Sequence, residues 1–139
     1  MKSVLLDTNV ILDFLLKREP NDREAQTVIK EIVDGRVQGY ITASMVTDIF
    51  YLLQKINGKA TALASLVDLL IIIDVLTVTR DDIYAVLSSG WDDLEDALQA
   101  HVAIRGGIDA IVTRNIKDYQ NAQNIDIVLP HDFIQYLEE

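Results

Sequence analysis

Two rhythms of apolar residues run along this chain. Short unbroken blocks, beginning with Val4-Leu5-Leu6, suit fully buried strands. Longer segments space their apolar residues three or four apart, as in Ala25, Val28, Ile29 and Ile32, and suit amphipathic helices. Read in order, the pattern predicts strands at Val4–Leu6, Gln38–Thr42, Asp74–Val78, Asp109–Thr113 and Asp126–Leu129. Helices are expected from Val10 to Leu16, from Asn21 or Asp22 to Asp34, and from a Ser44 cap to Asn57-Gly58. Others follow from Ala60 to Ile72, from a Thr79 cap to Ser88, and from Asp93 to Arg105 behind an Asp92 cap. A short helical piece covers Lys117 to Asn121, and Pro130 opens a last helix to Leu137. Strands alternating with helices imply a parallel sheet covered on both faces. The fold class expected is α/β, a single three-layer α/β/α domain over residues 1–139 with a central, mainly parallel sheet of four to five strands.

Composition narrows the setting. Apolar residues make up 50% and charged residues 24%, the balance of a globular chain with enough core to fold. There is no cysteine, so disulfides and thiol chemistry are excluded. Met1-Lys2-Ser3 runs directly into the first strand, and the apolar stretch around Leu69–Ile73 is bounded by Asp68 and Asp74. Neither a signal peptide nor a membrane span is expected, and a cytoplasmic protein is. The net charge of −10 argues against tight, non-specific binding of nucleic acid. It leaves room for carboxylates gathered around a divalent cation, or for a basic protein partner.

Acidic and polar residues fall where strands end or helices begin. Asp7 follows the first strand, and Asp48 lies in the first turns of the helix after the second. Asp93 and Asp96 are three apart and share a helix face. Asn115 and Asp118 follow the fourth strand. Each has an ordinary explanation: first-turn acids complement the helix dipole, Asp7 can cap a helix, and Asn and Asp favour turns. Those explanations do not predict that all four places share the carboxyl edge of one sheet, where open α/β sheets bind ligands. Clustered carboxylates without cysteine or a histidine pair suit Mg²⁺ or Mn²⁺. Such ions activate water and neutralise charge on a phosphoryl group, which makes a phosphodiester the natural substrate.

Taken together, Leu6-Asp7-Thr8-Asn9, Asp48 after Ser44, Asp93-Leu94-Glu95-Asp96-Ala97, and Val112-Thr113-Arg114-Asn115 with Lys117-Asp118-Tyr119 resemble the PIN-domain family. The resemblance covers nearly the whole chain and keeps the family's order. It implies an Mg²⁺- or Mn²⁺-dependent ribonuclease acting on RNA, with the toxins of toxin–antitoxin pairs among its relatives. Carried over by position, it implies Asp7, Asp48 and Asp96 as metal-holding acids, with Asp93 matching a further acid of some members. Thr113 and Asn115 match the polar residues after the fourth strand, with Asn115 in the catalytic set, and Thr8 and Asn9 shape the first turn. Two departures stand out: Asp48 replaces a more usual Glu, and Asn115 a more usual Asp. Arg114, with Lys55, Lys59 and Lys117, is a candidate to hold RNA beside Asp118. A basic antitoxin and a second copy of the chain, paired through the helix Ala60–Ile72, are the expected protein partners.

Other readings remain open. A non-catalytic interaction module with a degenerate metal site is the alternative that Asp48 and Asn115 motivate. Phosphotransfer on Asp7 fits poorly, because Asn9 stands where a second acid is usual. His101, five positions after Asp96, faces away from it and reads as a packed or surface residue. Trp91 reads as a packing anchor, and the row Leu63, Leu66, Val67, Leu70 as core or dimer surface.

Overall fold

A computed structural model describes all residues, Met1–Glu139. Its centre is β1 (Ser3–Leu6), the first block of the pattern. The sheet adds β2 (Gln38–Thr42), β3 (Asp74–Leu76), β4 (Ala110–Val112) and β5 (Asp126–Val128), in the order β3-β2-β1-β4-β5. Every pairing is parallel, with Leu5 opposite Tyr40 on one side and opposite Ile111 on the other. All strand ends therefore open on the same edge, and Asp7 is the first residue beyond β1.

Alternation along β1 divides the core into two layers. Val4 and Leu6 join the larger cluster with residues of α1 (Thr8–Leu15), α2 (Asp22–Val33), α3 (Val46–Asn57), α4 (Lys59–Ile72) and α7 (Phe133–Glu138). Leu5 points the other way, against Ala100 and Ala103 of α6 (Leu94–Arg105), with Ile111 and Tyr119. On that side α5 (Arg80–Leu87) packs beside α6. Gly39 of β2 lets α2 approach closely: a β-carbon there would lie 2.5 Å from Ile32 Cδ1, and that side chain would have to shift.

The expected three layers and parallel sheet are all present; the differences lie at element ends. Ser44 does not cap α3. Thr42 begins a 3₁₀ turn over Ala43–Met45, Ser44 only shares a hydroxyl hydrogen bond with Thr42 at 2.8 Å, and α3 starts at Val46. Asp93, not Asp92, caps α6, because its backbone is extended and its Oδ1 accepts from the Asp96 N–H at 2.9 Å. Pro130 opens a 3₁₀ turn, with α7 starting at Phe133. On α4, Leu66 is buried while Leu63, Val67, Leu70 and Ile71 are exposed. No helix is long and apolar enough to cross a membrane.

Candidate functional site

The first turn after β1 builds the site. The Asp7 N–H donates to the Val112 carbonyl at 3.0 Å, extending the β1–β4 pairing by one residue. The Asp7 side chain then does two things. Oδ1 accepts from the Thr8 N–H at 2.8 Å and so caps α1, while Oδ2 accepts from the Thr113 hydroxyl at 2.9 Å. Capping and site-building are thus compatible. Thr113 is itself anchored, its N–H donating to the Val128 carbonyl and its Oγ1 accepting from the Asn115 N–H. Asn115 in turn donates from Nδ2 to Asp118 Oδ1 at 3.0 Å. Burial pushes the Asp7 carboxyl above its ordinary range, against the hydrogen bonds from Thr113 and Thr8.

Two helices complete an open cleft of about 390 Å³. Asp48 enters from the first turn of α3, and Asp93, Glu95 and Asp96 from the start of α6. With Asp7 and Asp118 they make six acids on the cleft wall and no base. Partial burial first, and then the charges of Asp93, Asp7, Asp118 and Glu95, push the Asp96 carboxyl up to about 7. Glu95 is raised by burial and by the charge of Asp48. Beneath them Gln99 and Tyr119 are buried, the Tyr119 hydroxyl donating to Gln99 Oε1 at 2.6 Å. Trp91 meets the Tyr119 ring edge-on with centroids 6.3 Å apart, the packing role expected of it.

The expected residues Asp7, Thr8, Asn9, Asp48, Asp93, Asp96 and Asp118 all line the cleft. Thr113 and Asn115 support it from behind through hydrogen bonds. Arg114 does not line it. Its Nε lies 2.8 Å from Oδ2 of Asp13, a buried acid on α1. Lys55, Lys59 and Lys117 are also absent from the lining. Glu95 and Gln99 are cleft residues that the pattern did not single out. In the first turn of α6, Glu95 and Asp96 diverge by about 100° yet both reach a cleft that the helix start faces end-on. His101 is a partner of α5, with Nε2 3.2 Å from Asp82 Oδ1.

The donor set is carboxylate oxygen throughout, which suits Mg²⁺ or Mn²⁺. No three acidic or histidine side chains are already gathered around one point. Mg²⁺ does not require that, since it commonly takes one or two carboxylates and keeps several waters. Thr8 Oγ1, buried at the cleft wall, has no hydrogen-bond partner within the chain.

Fold and site define a small parallel-sheet α/β domain that collects acids at the carboxyl ends of its strands. The PIN domain model matches residues 3–117, and the chain belongs to that family. Ribonuclease VapC1 of Aquifex aeolicus (strain VF5) is 22% identical over 139 residues, spanning 96% of this chain and 94% of that protein. Among solved structures, VapBC2 of Rickettsia felis bound to a promoter DNA fragment superposes with a TM-score of 0.72 at 17% identity, covering 91% of this chain and 98% of that one. VapC20 of Mycobacterium tuberculosis, a sarcin-ricin loop cleaving toxin, gives 0.65 at 13% identity, covering 88% and 98%.

Proposed function

We propose that this protein is a metal-dependent endoribonuclease, the toxin of a VapC-type toxin–antitoxin pair. The observation that carries the reading is the six-acid cleft, in which Asp7, Glu95 and Asp96 are raised by burial and by neighbouring acids. Repulsion of this kind is relieved by a divalent cation. The name of the Aquifex relative and the toxin–antitoxin complexes among the structural neighbours support the choice of RNA and of an antitoxin partner. A basic antitoxin segment would complement the −10 charge. Exposed Leu63, Val67, Leu70 and Ile71 on α4 support self-association as a homodimer. Action on RNA would place the protein in the cytoplasm.

In this reading Asp7 and Asp96 hold Mg²⁺ or Mn²⁺, and Asp48, Asp93 and Glu95 hold its waters or a second ion. The bound cation would supply Lewis-acid activation of water and neutralise charge on the phosphate. Thr113 keeps the Asp7 carboxylate aimed at the cleft, Asn115 steadies Asp118, and Asn9 and Thr8 shape the rim. Asp7→Asn and Asp96→Asn are each expected to lower Mg²⁺-dependent cleavage of single-stranded RNA by roughly a thousandfold with the fold intact. Normal cleavage by either variant would refute the site. Calorimetric titration with Mg²⁺ and Mn²⁺ should show binding in the wild type and none in Asp96→Asn. No binding at millimolar metal would favour the second reading, a non-catalytic module, which the lack of a pre-gathered ligand triad and the presence of Asp48 and Asn115 motivate.

A further inference from the structure

We propose that Arg18 and Arg114, joined through buried Asp13, form a phosphate-binding subsite that takes a phosphodiester of single-stranded RNA flanking the bond to be cut. The inference rests on the ribonuclease reading and adds to it the residues that hold the strand outside the acidic cleft.

Charge balance comes first. Asp13 is only 1% exposed; its Oδ1 accepts from Arg18 Nε at 2.9 Å, and its Oδ2 lies 2.8 Å from Arg114 Nε in an ion pair. One guanidinium would neutralise it, so the second leaves a net positive charge. Every other ion-paired group of the chain carries at least as many acids as permanently charged bases: Arg105 meets Asp82, and Lys30 with Arg36 meet Asp34 and Glu31. A strand of phosphates approaching six clustered acids requires positive charge at the rim, and this pair supplies it.

Position comes second. Arg18 Nη2 donates to both the carbonyl and Oδ1 of Asn9, each at 3.2 Å, and Asn9 lines the cleft. Arg114 stands between Thr113, whose hydroxyl holds Asp7, and Asn115, which holds Asp118. Arg18 thus touches a residue that lines the cleft, and Arg114 is the chain neighbour of two that support it. Third, both side chains are about a third exposed, at 35% and 36%, and neither Nη1 group has an acceptor within the chain. Guanidiniums already fixed by Asp13 lose little freedom on taking up a phosphate, and their planar forks match its oxygens.

The test is steady-state cleavage of a fluorogenic single-stranded RNA at millimolar Mg²⁺ across a salt series, with Arg18→Gln, Arg114→Gln and Arg114→Lys. Each single Gln variant leaves Asp13 with the other arginine, so the fold is kept, as circular dichroism would verify. KM should rise about tenfold in each Gln variant while kcat stays within about twofold. The slope of log(kcat/KM) against log salt should flatten by about 0.7 for each arginine removed, and Arg114→Lys should restore it. Unchanged KM and slope in a folded variant, with only the melting temperature lowered, would overturn the subsite and leave the arginines as a brace. A wild type that does not cut RNA would instead refute the ribonuclease reading. Fluorescence anisotropy of the same RNA in Mg²⁺ then measures the slope without catalysis, and equal slopes in wild type and variants would overturn the subsite.

Discussion

At the scale of single residues, Asp96 joins two opposing demands. As the proposed metal ligand it would need negative charge, yet its surroundings hold its proton up to about pH 7. The folded protein therefore binds that proton more tightly than the unfolded chain does. Stability from this group is present at acid pH and is lost as pH rises from about 4 to about 7. Asp7 and Glu95 act in the same direction. Asp82 has the opposite sign: the Arg105 guanidinium holds its carboxyl far below the usual range, so its stabilisation is present above about pH 4 and is lost below. Metal-free protein is accordingly expected to melt highest in mildly acid solution and lower at pH 8. Asp96→Asn should raise the metal-free melting temperature at pH 8 by roughly 3 °C in a calorimetric scan, corresponding to about 1 kcal/mol. A fall would make Asp96 a structural residue.

At the scale of elements, the α5–α6 pair shows how a buried acid organises two helices. Asp82 closes a capping box with Thr79, its Oδ2 accepting from the Thr79 N–H at 2.8 Å. It also receives the Arg105 fork at 2.7 and 2.9 Å, while Arg105 reaches the Thr77 carbonyl. The C-terminal half of α6 is thereby fixed, and with it the axis along which Glu95 and Asp96 are presented. Asp82→Asn should cost about 2 kcal/mol of stability, measured by denaturant unfolding, because Arg105 loses its buried counter-charge. Much of this architecture was legible beforehand. Apolar period and glycine stops located every helix and strand, and Thr79 was identifiable as a cap from its side chain and position. Cap choice between neighbours was not, since Asp92 and Asp93 carry the same group and only the extended backbone at Asp93 decides. Nor was the fate of Arg114, whose partner Asp13 lies 101 positions away and is brought near by the β1–β4 pairing. The acids of the cleft other than Glu95 were legible because strand ends and helix starts are local features.

At the scale of the whole molecule, the two sides of the sheet are unequally covered. The larger core lies under α1 to α4 and α7, and α4 still leaves Val67 64% and Ile71 78% exposed. A dimer paired through this face is expected in light scattering. Val67→Asp with Ile71→Asp should yield a monomer of unchanged circular dichroism, and a wild-type monomer at micromolar concentration would refute the pairing. The strand order has a consequence of another kind. β1 is made first and lies at the centre, but its second neighbour, β4, begins only at Ala110. The bond from Thr113 to Asp7 spans 106 positions. On the ribosome, the opening strand must wait with one edge bare until Ala110–Val112 has been synthesised. The cleft is accordingly complete only once Thr113 has been made, 106 positions after the carboxylate that it holds.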